Sequence, residues 1–186
     1  MNTPEQVRTA RAYLSRVAEP PAAPVAAFVA DVGPVEAAAR IRRGAVPEAV
    51  AKRTAARREV DRAAADLAAA AACGARLVVP EDEEWPHWTL LPLDRCPDEE
   101  LAAPLALWVR GPGRLDELTG SAVAIVGSRN ATGYGNHVAG ELAAGAADRG
   151  FTVVSGAALG IDGAAHRGAL AVEGPTIAVL ACGIDR

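Results

Sequence analysis

The strongest constraint on the fold of this chain is an alternation of strands and helices that begins at Ser121. Continuous apolar runs alternate with helical patterns over five segments, with strands predicted at 122–128, 151–156 and 176–183 and helices at 133–149 and 161–173. Uninterrupted apolar strands joined by helices are typical of a parallel sheet covered on both faces. The crossovers are expected to be right-handed. The segment is therefore predicted to be an α/β domain.

Each predicted strand ends in a turn that contains glycine. The three turns are Gly127-Ser128-Arg129, Ser155-Gly156-Ala157 and Cys182-Gly183. The carboxyl ends of parallel strands meet at one edge of a sheet, where the following helices present free backbone N–H groups. Glycine lets a backbone approach a phosphate closely, serine hydroxyls can donate to its oxygens, and the planar guanidinium of Arg129 can bind it. This edge is therefore predicted to be an anion site, above all for phosphate.

Motifs for common nucleotide sites and nucleophiles are missing from this segment. The glycines after the first strand do not form GxGxxG, no GKS or GKT marks a P-loop, and Ser155 does not stand in GxSxG. Asp162 and His166 lie four residues apart on a predicted helix and could face one another as a catalytic pair. A structural hydrogen bond at a helix start is the interpretation that we favour, because aspartate near a helix N-terminus is an ordinary capping residue.

Residues 1–74 are predicted to form a small helical domain. Helices are expected from Pro4 to about 18 with Thr3 as the cap, over about 23–30, from Pro34 to about 43, and over about 47–73. The last of these carries a broad basic face, made of Lys52, Arg53, Arg57, Arg58 and Arg62. We favour a solvated face balanced by acidic neighbours, and the alternative is a surface for an anionic partner.

Residues 75–120 are predicted to be a connector with two short strands, at 76–80 and 105–111, around an acidic loop. His87 lies between Trp85 and Trp88, and we expect this cluster to close a domain junction rather than to contact a ligand. The formal charge is +3 over residues 1–73, −6 over 74–120 and −1 over 121–186. This balance does not indicate a dedicated duplex-DNA binder, which would be strongly basic.

Composition excludes several further classes. The chain has no long run of large apolar residues that could span a membrane and no apolar stretch of a secretory signal at its start. Its three cysteines are scattered, which argues against a disulfide framework and a zinc site, and a cytoplasmic protein without metal or cofactor is expected. Alanine occurs 44 times in 186 residues, which predicts closely packed helices with few large anchors.

The ordered motifs after Ser121 resemble the DNA-processing protein A (DprA/Smf) family. The shared marks are GSR at 127–129, YG at 134–135, SGxAxGID at 155–162, AAHRGAL at 164–170 and TIAVLACGID at 176–185. The segments WP at 85–86 and LWVRG at 107–111 resemble the lead-in to the domain. The helical N-terminus resembles the family's small SAM/HhH-like domain. The resemblance implies the first part of a Rossmann-like domain over 121–186.

The resemblance also implies a function without catalysis. Members bind single-stranded DNA, form dimers and help to load a RecA-type recombinase during DNA uptake, natural transformation and recombination. Carried over by position, Arg129 is the foremost DNA contact. The residues expected to build the phosphate-binding pocket with it are Gly127, Ser128, Ser155, Gly156 and Ala157. The residues expected to shape the pocket are Tyr134, Gly135, Gly160, Ile161, Asp162 and His166.

Two positions depart from the family pattern. Leu159 and Pro175 stand where members often carry arginine and lysine. Two positive charges that could bind phosphate are therefore missing, and a low affinity for DNA is expected. The resemblance breaks off at Arg186, whereas the family's domain continues with further strands and helices, so the sheet is expected to be incomplete. The alternatives are a nucleotide-binding or protein-interaction module and a nucleotide-cleaving protein that resembles the LOG phosphoribohydrolases, although their PGGxGT motif is not present in this sequence.

Overall fold

The structure is a computed structural model that describes residues 3–20, 22–95 and 101–185. These residues form two compact units, one within residues 1–112 and the other within 113–184. The first unit has the order α1 (Glu5–Val17), α2 (Ala23–Val32), α3 (Pro34–Arg43), α4 (Glu48–Thr54), α5 (Ala63–Ala72), β1 (Ala75–Val78), α6 (His87–Asp94) and β2 (Leu107–Arg110). The second has α7 (Leu115–Gly120), β3 (Ala122–Ala124), α8 (Gly133–Asp148), β4 (Thr152–Ser155), α9 (Ile161–Ala171) and β5 (Thr176–Ala178).

The core of the first unit is built around α1. Tyr13, Leu14 and Val17 are completely buried, and they pack with apolar residues of α2, α3 and the antiparallel pair β1–β2. Burial raises the pKa of the Tyr13 hydroxyl, which donates to the carbonyl of Arg58 at 2.7 Å. The ring of Tyr13 also lies under the Arg42 guanidinium, 4.0 Å from the ring centroid. A large aromatic anchor thus lies in a core that is otherwise built largely of alanine and valine.

The prediction of a single helix over 47–73 is wrong. The chain forms two helices, α4 and α5, and the segment 55–62 between them is not helical. The carbonyl of Arg58 bonds the Tyr13 hydroxyl instead of continuing a helix, and an Asp61 carboxylate oxygen accepts from the Ala63 N–H at 3.3 Å where α5 begins. A tertiary hydrogen bond and a local aspartate turn therefore override the helical pattern.

The basic residues predicted on one helix are mostly paired with acids. Lys52 bonds Glu48 at 2.9 Å, Arg57 lies 3.6 Å from Glu19, and Arg58 lies 3.8 Å from its neighbour Glu59. These are the balanced pairs of a solvated surface, the interpretation favoured from the sequence.

The acidic loop after β1 binds arginines of the same unit. Asp82 accepts two hydrogen bonds from Arg8, at 2.7 and 3.0 Å, and Glu81 accepts from the buried Arg11 at 2.7 Å. Thr3 was predicted to cap α1, and this is wrong, because its hydroxyl donates to Asp82 and α1 begins at Glu5 without a side-chain cap. The loop is followed by α6, where the sequence predicted no helix, with Trp85 buried and Trp88 exposed.

The second unit confirms the predicted α/β architecture. Its strands pair in parallel in the order β3-β4-β5, with Val123 beside Val153 and Val154 beside Ile177. The helices α8 and α9 pack against each other, and their alanines surround Val153 in the core. Among the described residues these helices cover the face of β3 that carries Val123, whereas Ala122 and Ala124, on the other face, are exposed. The expected coverage of both faces is therefore not seen within 113–185.

No helix in the described parts of the chain is long and apolar enough to cross a membrane.

The ion pairs of Asp82 predict acid sensitivity of the first unit. Burial acts to raise the pKa of Asp82, but its hydrogen bonds with Arg8, Thr3 and the Val79 N–H outweigh this and lower it below the ordinary value of 3.8. A carboxyl whose pKa is lowered by folding stabilises the fold above its unfolded pKa. This stability is lost as the pH falls through the lower, folded pKa.

We expect Asp82→Asn to reduce the free energy of unfolding by about 1–3 kcal/mol at pH 7, because bonds to a charged acceptor are lost. The difference from the unsubstituted chain should shrink below pH 3.8. Urea unfolding followed by tryptophan fluorescence measures this unit alone, because all three tryptophans lie at 85, 88 and 108. Glu48→Gln, in an exposed pair with Lys52, is the control and should change little. An equal loss in both variants would contradict the assignment.

Candidate functional site

The loop after β3 carries the charged residue of the predicted site. The ladder continues to Ile125, whose N–H donates to the Val154 carbonyl at 3.0 Å, and the chain then turns through Gly127 to Asn130. The Asn130 N–H donates to the Ser128 hydroxyl oxygen at 3.2 Å, which shapes the turn and leaves the hydroxyl hydrogen out of that bond. Thr132 caps α8 by accepting from the Gly135 N–H at 3.1 Å. Sequence reasoning missed this cap, although a threonine directly before a helix start is its usual signal.

The loop after β4 lies against the loop after β3. The Ile161 N–H donates to the Ser128 carbonyl at 3.2 Å. Gly160 has a φ of +83°, and a Cβ at this position would overlap the Ser128 carbonyl oxygen and lie 2.6 Å from that of Arg129. The close approach of the two loops therefore requires glycine at position 160. Gly160 and Ile161 thus hold the loop after β4 against the loop after β3, and their role in shaping a binding pocket stays a prediction.

Asp162 connects the two loops through its carboxylate. The side chain is buried, with one oxygen accepting from the Gly127 N–H at 3.3 Å and the other from the Gly156 N–H at 3.2 Å. These N–H groups were among those expected to bind phosphate, but here they already bond an internal anion. A buried carboxylate needs such partners, and its charge repels a second anion from the same place. A phosphate is therefore expected further out, at Ser128 and Arg129.

Ser155 and His166 form hydrogen bonds with groups of the sheet. Ser155 is buried, and its hydroxyl donates to the Ile125 carbonyl at 2.7 Å, so the hydrogen expected to reach a phosphate is already used. The Thr176 hydroxyl donates to the Val153 carbonyl at 2.8 Å, so its oxygen accepts from His166 Nδ1, 2.7 Å away. His166 and Asp162 thus have separate partners, and the catalytic pair considered from the sequence is not formed.

Arg129, Tyr134 and Leu159 are exposed around these loops, with Tyr134 at 79% and Leu159 at 83%. Tyr134, which was expected to shape the pocket, lies at the surface in the first turn of α8, and its role in a pocket stays a prediction. A Cβ on Gly135 would be 3.5 Å from Ile161 Cδ1, so this glycine lies within contact range of the start of α9. In the described parts of the chain, no carboxylate forms an ion pair with Arg129.

The other predicted positions lie at or beside these loops. Ala157 adopts a φ of +54° in the exposed turn after Gly156. The third glycine turn, Cys182-Gly183, lies beyond the end of β5 at Ala178. It is Val179 that lies beside the end of β4, with its N–H donating to the Ser155 carbonyl at 2.8 Å. Within the described residues, no group of three or more His, Cys, Asp or Glu side chains could hold a metal ion.

Comparisons with known proteins agree with this architecture. The model of the family DNA recombination-mediator protein A matches residues 76–186. A DNA processing protein DprA from Mycobacterium tuberculosis is 56% identical over 182 residues, which are 95% of this chain and 47% of that protein. Protein Smf from Escherichia coli is 41% identical over 107 residues, or 55% of this chain and 28% of that protein. The chain thus spans about half the length or less of these curated relatives.

A solved structure shows the same fold. The X-ray structure of DNA processing protein A from Streptococcus pneumoniae matches with a TM-score of 0.66 and 23% sequence identity. The match covers 100% of this chain and 60% of the other. At this identity the likeness supports the fold, and the function has to be argued from the residues of the site.

Substitution of Gly160 tests the contact between the two loops. We expect Gly160→Ala to destabilise the second unit by about 2 kcal/mol or more, because the added Cβ meets two carbonyl oxygens at a positive φ. Thermal unfolding followed by circular dichroism, with hydrogen exchange to localise the change, measures the effect. Gly133→Ala is the matched control, since no atom lies within 4 Å of its added Cβ, and it should be nearly neutral. Equal stability of the two variants would contradict the close approach.

Substitution of Asp162 tests the connection through its carboxylate. Asp162→Asn keeps the size but replaces one accepting oxygen by a donor, so one of the two glycine N–H groups loses its partner. We expect faster amide exchange at Gly127 or Gly156 and a loss of about 1–3 kcal/mol of stability, the cost of an unpaired buried group. Glu141→Gln, on the exposed side of α8, is the control. Unchanged exchange at both glycines would show that the carboxylate does not hold the loops.

Proposed function

Because the chain belongs to the DNA recombination-mediator protein A family, we propose that it binds single-stranded DNA and helps to load a RecA-type recombinase during DNA uptake, natural transformation and recombination. The observation that carries this proposal is the exposed Arg129 on the loop after β3, next in sequence to the exposed Ser128. Relatives named as DNA processing proteins support it.

Arg129 and Ser128 supply the groups that a phosphate needs. A guanidinium can donate two parallel hydrogen bonds to phosphate oxygens, and the serine hydroxyl adds a third donor. Contacts of this kind position a nucleic acid backbone without reading its sequence. The expected mode is therefore a salt-dependent contact with little sequence preference.

The internal carboxylate limits how strongly this site can bind. Asp162 uses the N–H groups of Gly127 and Gly156 and leaves a negative charge behind the loops. Residues 121–186 also carry a formal charge of −1. The affinity of a single copy for one phosphate is therefore expected to be low, and several copies on one strand would raise it by multivalency.

We also propose that the chain acts by binding and not by catalysis. Asp162 holds two backbone N–H groups and His166 bonds Thr176, so both side chains have structural partners. The proposal extends to three properties of the whole protein: pairing with a second copy, contact with a recombinase, and a place in the cytoplasm.

Substitution of Arg129 tests the proposed function. We expect Arg129→Ala to weaken binding of a fluorescent single-stranded oligothymidylate by roughly 10- to 100-fold, the loss of one charge-assisted phosphate contact. The slope of log affinity against log salt should become shallower by about 0.7. Fluorescence anisotropy over a salt series measures both. Arg149→Ala is the control, because Arg149 follows α8 at the opposite end from the loop and bonds Gly145 in its own turn.

Three outcomes would contradict parts of this proposal. Unchanged affinity in Arg129→Ala would remove the site assignment. Displacement of the oligonucleotide by a mononucleotide at a similar concentration would favour a nucleotide-binding module. Release of free base from nucleoside monophosphates by the chain would favour the nucleotide-cleaving alternative.

A further inference from the structure

We propose that Tyr134 and Leu159 form an apolar platform that binds the bases of a single strand whose phosphate is held by Arg129. The inference rests on the proposed function and deepens it, because it assigns the bases a contact of their own. It also predicts a preference for single-stranded over duplex nucleic acid. The platform consists of these two side chains, whose backbones lie near the Ser128–Arg129 turn.

Contacts along the two loops place the platform beside Arg129. Leu159 directly precedes Gly160, whose Cα lies against the carbonyls of Ser128 and Arg129. Tyr134 directly precedes Gly135, where an added Cβ would lie 3.5 Å from Cδ1 of Ile161, the first residue of α9. Because the Ile161 N–H in turn bonds the Ser128 carbonyl, the backbones that carry the two side chains both lie close to the turn that carries Arg129.

These two side chains do not take part in the core of the second unit. Tyr134 is 79% exposed and Leu159 is 83% exposed, and neither belongs to the core cluster of the second unit. Tyr134 lies in the first turn of α8 and Leu159 in a loop, so neither is needed to cover the sheet. A large aromatic and a large aliphatic side chain left in water around one loop indicate a surface that binds apolar groups.

The neighbouring cation favours nucleobases as the occupant. A single strand alternates charged phosphates with flat apolar bases, and the proposed surface would offer it a guanidinium, an aromatic ring and an aliphatic chain. Stacking of a base on an aromatic ring tolerates any sequence, because every base has a π face. The bases of a duplex are already stacked on each other and unable to reach the ring, so the platform would discriminate single strands from duplexes.

The test compares variants on two strands that differ only in their bases. One strand is an oligothymidylate, and the other has the same phosphates with abasic units in place of the thymidines. We expect Tyr134→Ala to bind the oligothymidylate roughly 5- to 100-fold more weakly than the unsubstituted chain. Tyr134→Phe, which keeps the ring, should bind nearly as the unsubstituted chain does. Leu159→Ala should give a smaller loss, since it offers no π face.

The abasic strand separates stacking from charge. On it, Tyr134→Ala and the unsubstituted chain should bind equally, whereas Arg129→Ala should still bind more weakly. Two controls carry matched exposed side chains elsewhere in the second unit. One is Leu142→Ala, at a residue about 12 Å further along α8 than Tyr134. The other is Phe151→Ala, at the end of β4 that is opposite to the loop carrying Leu159. Circular dichroism shows that each variant is folded.

The outcomes are distinguishable. Binding of the oligothymidylate that depends on Arg129 but not on Tyr134 or Leu159 would overturn the platform and leave the proposed function intact. Equal losses for Tyr134→Ala on both strands would also overturn it, since the effect would not involve bases. Absence of binding to any strand by the unsubstituted chain would overturn both proposals.

Discussion

The carboxylate of Asp162 is the interaction on which the loop region of the second unit depends. It lies in the first turn of α9 and accepts from the backbone of the loop after β3 and from that of the loop after β4. One residue thus fixes the ends of two neighbouring strands relative to the helix that follows. The same bonds occupy N–H groups that would otherwise attract a phosphate, so the proposed phosphate contact rests on side chains further out.

Electrostatics organise the first unit in a comparable way. The acidic segment after β1 looks unbalanced in the sequence, but Glu81 and Asp82 bind Arg11 and Arg8 of α1, and Glu84 binds Arg76 of β1. The excess of acidic residues over 74–120 is therefore partly balanced by ion pairs with arginines of the basic segment 1–73. Arg11 is 8% exposed, so its pairing with Glu81 meets a need of the fold itself.

The sequence was most informative where one pattern decides the structure. The alternation of apolar strands and helices after Ser121 was sufficient for the parallel sheet, and the glycine turns at 127 and 156 were correctly placed at neighbouring strand ends. The break between α4 and α5 could not be predicted from periodicity, because it depends on a bond from Tyr13, 45 residues away in sequence from Arg58. The partners of Ser155 and Asp162 were missed for the same reason. A hydroxyl or carboxylate that could bind a ligand can equally bind the backbone, and the fold decides between them.

The contact of Gly140 with Gly168 has a consequence for the entropy of binding. The backbones of α8 and α9 meet at these residues, where a Cβ on Gly168 would lie 2.9 Å from the Gly140 Cα. Helices this close have no room to slide past one another, and the two loops that precede them are fixed to the same body. If a single nucleic acid strand binds at these loops, as proposed, the protein would have to order a few exposed side chains and little of its backbone. The cost of immobilisation falls mainly on the ligand, so a low charge need not exclude useful affinity.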